Sequence, residues 1–144
     1  MQDRNRRWFL KAAGATVVAG TLAGCIGDDD DDEIGPDDWE GITEITLEGY
    51  ADRWEGMEPS FIDGVANPTL YLTEGEEYTI EWVNGDGVDH NLQIENDAGD
   101  VLYETEFVSG VGNGDTLTFT ATAEMTTYIC DVHRAQQVGD IEIV

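Results

Sequence analysis

The residues that could do chemistry in this chain are few. It contains two histidines, His90 and His133, and two cysteines, Cys25 and Cys130. Cys130 and His133 share the short segment Tyr128-Ile129-Cys130-Asp131-Val132-His133, and thiolate and imidazole are the ligand types that hold zinc, copper and other borderline metals. His90 by itself reads as a structural or surface histidine, and Cys-x-x-His by itself is a short motif that also arises at zinc sites and by chance. Together, in a chain with no other histidine, they read as one metal site. The carboxylates add no catalytic signal. With 32 Asp and Glu in the chain, close pairs arise by chance and describe a solvated acidic surface. The cluster Gly110-Val111-Gly112-Asn113-Gly114 lacks the Lys-Ser/Thr ending of a phosphate loop and reads as a hairpin turn.

Three ligands from distant positions need a scaffold that brings them to one end. Short segments rich in Val, Ile, Thr, Tyr and Trp, separated by Gly, Asn and Asp clusters, predict strands at Glu44–Leu47, Thr69–Leu72, Tyr78–Val83, Asn91–Ile94, Val101–Phe107, Thr116–Thr122, Thr127–Cys130 and Asp140–Val144. Tyr78, Ile80 and Trp82 alternate as a half-buried strand should, and so do Leu117, Phe119 and Ala121. Seven or eight such strands without helical periodicity predict an all-β fold, a Greek-key antiparallel β-sandwich. The stretch from Gly49 to Asn67 has no clear period and is expected to be an ordered crossover laid against the sandwich. A cysteine leaving one strand and a histidine before the next put Cys130 and His133 at the same end. His90 lies between the turn Asn84-Gly85-Asp86-Gly87 and the strand from Asn91, so it too occupies a strand end. If those two strands are neighbours, as Greek-key order allows, the three side chains converge.

The N-terminus is of another kind. Asn5-Arg6-Arg7-Trp8-Phe9-Leu10-Lys11, the apolar run Ala12 to Ala23, and Leu22-Ala23-Gly24-Cys25 resemble a twin-arginine export signal ending in a lipobox. That run is shorter than the roughly 20 residues of a spanning helix. The resemblance implies cleavage before Cys25, a lipid on Cys25, and residence at the cell surface on the outer face of the cytoplasmic membrane. Residues 1–24 are thus expected to be signal, residues 25–42, with Asp28 to Asp32, an extended acidic tether, and residues 43–144 the domain. With Cys25 lipidated, Cys130 is the one thiol left and an internal disulfide is unavailable. Beyond the signal, two arginines face 31 carboxylates and no lysine remains. Such a balance excludes nucleic-acid binding through a basic surface. Self-repulsion would be severe at low ionic strength but screened in molar salt, where the Debye length is about 3 Å. The composition resembles that of haloarchaeal surface proteins.

Asn67-Pro68-Thr69-Leu70, Tyr78-Thr79-Ile80-Glu81-Trp82, Asp89-His90-Asn91 and Tyr128-x-Cys130-x-x-His133-x-x-x-Gln137-x-Gly139 together resemble the cupredoxin family, in particular its haloarchaeal plastocyanin-like members. The resemblance covers roughly residues 43–144. It implies a single type 1 copper whose trigonal plane is formed by His90, Cys130 and His133, with Asn91 helping to fix the cysteine loop. Where family members usually place methionine, this chain has Gln137. Some cupredoxins, the stellacyanins among them, use an axial glutamine. Its carbonyl oxygen is harder than a thioether, so it favours Cu(II) and lowers the potential. The family's function is single-electron transfer, with membrane redox proteins as donor and acceptor, a monomeric carrier and no enzymatic turnover. A copper store or delivery protein and a metal-free cupredoxin-like surface module are the alternatives. The scarcity of methionine and histidine argues against the first, and Gln137 is the only hint of the second. A multicopper oxidase would need further histidines.

Overall fold

The computed structural model describes residues 34–144. The export signal, Cys25 and the Asp28 to Asp32 run lie outside the described residues. Among the described residues nine strands follow in chain order: β1 Glu44–Tyr50, β2 Arg53–Glu58, β3 Leu70–Leu72, β4 Glu77–Asn84, β5 Gln93–Asn96, β6 Val101–Glu104, β7 Gly114–Thr120, β8 Met125–Ile129 and β9 Val138–Ile143. They form two packed sheets, one of five strands in the order β3-β9-β8-β5-β6 and one of four in the order β2-β1-β4-β7. The alternation that predicted the strands is what closes the sandwich. Ile45 and Leu47 of β1, Tyr78, Ile80 and Trp82 of β4, and Leu117 and Phe119 of β7 are buried, facing Leu70, Leu72, Ile94, Tyr128 and Ile141 of the five-stranded sheet. Each aliphatic side chain so buried stabilises the fold by about 1.5–3 kcal/mol relative to exposure.

The all-β sandwich agrees with the sequence reading, with three corrections. The sheets are mixed, since β1 pairs with β4 and β3 with β9 in parallel, a pairing that no local pattern announces. The expected crossover from Gly49 to Asn67 is in large part strand β2, which returns antiparallel on β1 through the turn at Ala51 and Asp52. Its period was hidden because one of its inward positions is Gly56. A side chain there would collide with Ile62 in the short 3₁₀ turn Ser60–Ile62. Finally, the expected tether ends earlier than residue 42. Pro36–Trp39 forms a 3₁₀ turn, Trp39 is buried edge-on against Phe61 with ring centroids 5.2 Å apart, and Ile34 and Ile42 pack on the core. Three apolar residues suffice to dock a segment whose charge otherwise favours water.

Candidate metal centre

β5 and β8 are hydrogen-bonded neighbours, with Gln93 opposite Ile129. That register carries His90, just before β5, and Cys130, just after β8, to the same pole of the sandwich. The chain then turns tightly. His133 N–H donates to the Cys130 carbonyl at 3.1 Å, Gln137 N–H donates to the His133 carbonyl at 2.9 Å, and Cys130 N–H donates to the Gln137 carbonyl at 3.0 Å. The last bond extends the β8–β9 ladder by one pair and turns His133 and Gln137 back over the sulfur.

The ligand atoms of His90, Cys130 and His133 lie within 4.8 Å of one another. Nδ1 of His133 is 3.5 Å from the Cys130 sulfur, and Nδ1 of His90 is 3.9 Å from it. Metal bonds of ~2.0 Å to nitrogen and ~2.3 Å to sulfur place such donors about 3.5–3.7 Å apart around a shared ion. The spacing therefore fits one metal. His90, Cys130 and Gln137 are fully buried, and His133 is half-buried. Gln137 Oε1 lies 3.0 Å from His133 Nδ1, which places the amide oxygen near the same point, while its Nε2 is buried without a partner. Gly49 makes room for this amide: a Cβ there would lie 3.0 Å from Gln137 Nε2 and 3.4 Å from the His90 ring. A soft sulfur, two imidazole nitrogens and one hard, weak oxygen in a dry pocket form a donor set suited to copper in both oxidation states.

Several side chains fix the loop from Asp131 to Gln137. Asn91 Oδ1 accepts from Asp131 N–H at 2.9 Å, next to the cysteine. Asn67, whose φ of 46° is left-handed, accepts from Trp54 N–H at 2.8 Å and donates to the Gln136 carbonyl at 3.0 Å. Arg134 grips the Glu95 carboxylate through contacts of 2.8 and 3.0 Å, and donates to Asp131 at 3.0 Å. Glu95 and Gln93 lie on one face of β5 (period two,), and Arg134 covers that face, which explains why both are buried.

The His90 side is held by Asn84 and Asp86. Asn84 donates through Nδ2 to the Val88 and Val108 carbonyls at 2.6 and 3.0 Å, and accepts through Oδ1 from Gly87 N–H at 2.6 Å. Asp86 Oδ1 lies 2.8 Å from His90 Nε2. Burial pulls the His90 imidazolium toward deprotonation, but hydrogen bonds to Cys130 and Asp86 outweigh it and hold His90 above the ordinary imidazole value. For Asp86, desolvation is outweighed by the bonds from His90, Ala51 and Val88, which hold it below the usual carboxylate value. Sequence reasoning singled out neither Asn84 nor Asp86 for the site. The turn signal Asn84-Gly85-Asp86-Gly87 was visible, but its contact with His90 was not.

A two-sheet sandwich with a Cys-His₂ cluster at one pole defines the cupredoxin class. Residues 67–144 match the family model described as copper binding proteins, plastocyanin/azurin family. The chain belongs to that family. It is similar to the halocyanin of Natronomonas pharaonis, at 31% identity over all of this chain and 99% of the relative. Among solved structures it shares its fold with rusticyanin from Thiobacillus ferrooxidans, at 16% identity over 70% of this chain and 76% of that one, TM-score 0.53. It also shares it with auracyanin A from Chloroflexus aurantiacus, titled a "blue" copper protein, at 16% identity over 71% and 98%, TM-score 0.53.

Proposed function

We propose that this protein is a blue-copper electron carrier, binding one type 1 copper through His90, Cys130 and His133, with Gln137 as the axial ligand. The observation that carries the reading is the meeting of one thiol and two imidazoles at metal-binding distance in a pocket closed to solvent on all but the His133 side. When bound, copper supplies a one-electron couple, Cu(II)/Cu(I). The protein's part is to hold the donors rigid through the Asn91, Asn67 and Arg134 contacts, so that little moves when the charge changes. It also keeps out water and substrate, which suits a carrier rather than an enzyme.

His133 serves as the electron exit, because it alone of the three ligands reaches the surface. Around that pole lie the exposed apolar side chains Val88, Val111 and Val132, the first two on loops joined by the bond from Gly110 N–H to the Gly87 carbonyl. An apolar rim on an otherwise acidic molecule favours short-range docking, which molar salt does not screen. The donor and acceptor are membrane redox proteins, and the carrier, a monomer, is held on the outer membrane face by lipid on Cys25.

Stopped-flow mixing of the copper-loaded protein with a small one-electron mediator tests this. Rapid, reversible bleaching of the visible band is expected. Copper that is bound but exchanges no electrons on that timescale supports storage or delivery instead. The acidic surface carries a companion expectation: transfer from molar potassium chloride to dilute buffer lowers the melting temperature. A melting temperature indifferent to salt removes the halophile argument.

A further inference from the structure

We infer that Asp86 fixes the tautomer of His90 and lowers the copper reduction potential, through the hydrogen bond between its carboxylate and the outer ring nitrogen of His90. The inference rests on the reading of His90 as a copper ligand. His90 presents its two nitrogens to different neighbours: Nδ1 faces the Cys130 sulfur, and Nε2 is 2.8 Å from Asp86 Oδ1. A carboxylate can only accept, so the proton of neutral His90 must sit on Nε2. That leaves the lone pair of Nδ1 directed at the metal position. The tautomer a ligand needs is set before any metal arrives.

Asp86 is well placed to do this. Its Oδ2 accepts from Ala51 N–H at 2.7 Å, at the tip of the β1–β2 hairpin, and its Oδ1 also accepts from Val88 N–H at 3.3 Å. Asn84 closes the turn that carries it, accepting from Asp86 N–H at 3.2 Å and from Gly87 N–H at 2.6 Å. The carboxylate is thus pinned by two segments of backbone, and His90, with no exposed surface, cannot trade it for water. Trp54 and Trp82 flank the ring, with centroids 6.4 Å away in each case, and restrict its rotation. His133 differs, for among the described residues its ring contacts all run through Nδ1, to Cys130 and Gln137.

A carboxylate on the far nitrogen raises the basicity of a metal-bound imidazole. A stronger donor, with a negative charge behind it, stabilises Cu(II) more than Cu(I). Asp86 therefore acts in the same direction as the oxygen of Gln137.

The test compares the wild-type chain with Asp86→Asn and Asp86→Ala. Asparagine removes the charge and keeps one acceptor oxygen, which can take the Oδ1 place toward His90 although its NH₂ then faces Ala51 N–H, so a merely structural Asp86 would show in the unfolding midpoint and leave the potential unmoved. The expected result is that Asp86→Asn keeps the visible band and shifts the copper equilibrium about tenfold toward Cu(I), ~59 mV upward for one electron. In the metal-free protein, ring ¹⁵N shifts should show His90 wholly as the Nε2–H tautomer in the wild type and mixed in Asp86→Ala. Unchanged potential in Asp86→Asn with the band intact overturns the tuning. A metal-free wild-type ring carrying its proton on Nδ1 overturns the tautomer. A wild type that shows no thiolate-to-copper band sinks the copper reading, and the potential claim with it. The nitrogen spectrum still decides the tautomer in that case, so the two failures are distinguishable.

Discussion

The inward face of the four-stranded sheet is almost wholly apolar: Ile45, Leu47, Trp54, Tyr78, Ile80, Trp82, Leu117 and Phe119 are buried there, and Asn84 is its one buried polar residue. The five-stranded sheet buries Gln93, Glu95, Asn91 and Gln137 on or beside its strands, and two of the candidate ligands, His90 and Cys130, abut its strand ends. The loop carrying His133 and Gln137 then joins two strands of the same sheet. One layer is a wall and the other holds the chemistry. Burying polar groups costs stability unless each is hydrogen-bonded; Asn91 Oδ1, Asn67 and the Arg134–Glu95 pair offset much of that cost by bonding to the ligand loop, while Asn91 Nδ2 and Gln137 Nε2 stay without a partner. Fold stability and metal chemistry can therefore be perturbed separately.

The sharpest break of that division is Cys130→Ser. Loss of the thiolate should abolish the visible band altogether and weaken copper binding at least 10–100-fold, while leaving the far-ultraviolet circular dichroism of a β fold. A blue band that survives would place the thiolate bond elsewhere. On the other layer, Ile80→Ala should cost about 2–5 kcal/mol of unfolding free energy, measured by denaturant titration, with no change in the spectrum of the protein that remains folded. A displaced band would show that the wall shapes the site. A smaller effect is expected for Gln137→Met, which should move the potential upward by about tenfold in the Cu(II)/Cu(I) ratio, ~59 mV. An unchanged potential would mean that the amide of Gln137 makes no contact with copper.

The two layers also differed in how far the sequence disclosed them. The wall's central strand was plain, because Tyr78, Ile80 and Trp82 alternate without interruption. β2, at the edge of the same sheet, was not, since Gly56 breaks the apolar alternation and only its contact with Ile62 explains it. On the five-stranded side, the short spacing from Cys130 through His133 to Gln137 is local, and so the loop was legible. The approach of His90 depended on β5 lying next to β8, which the sequence permitted without requiring. The supports were least visible: Asp86 lies only four positions from His90, but Arg134 reaches Glu95 across 39 positions and Asn67 reaches Gln136 across 69. Long-range polar pairs leave no periodic trace. Nor did the acidic run before the domain disclose that Trp39 would leave it for the core.

The proposed electron carrier requires His90, Cys130 and His133 to grip a single copper ion. Visible absorption and electron paramagnetic resonance of the chain titrated with Cu(II) test it most directly. The predicted result is an intense thiolate-to-copper band that saturates at one copper per chain, with the narrow hyperfine splitting of a type 1 centre. Copper that binds without that band, or only in several weak equivalents on the acidic surface, would contradict it.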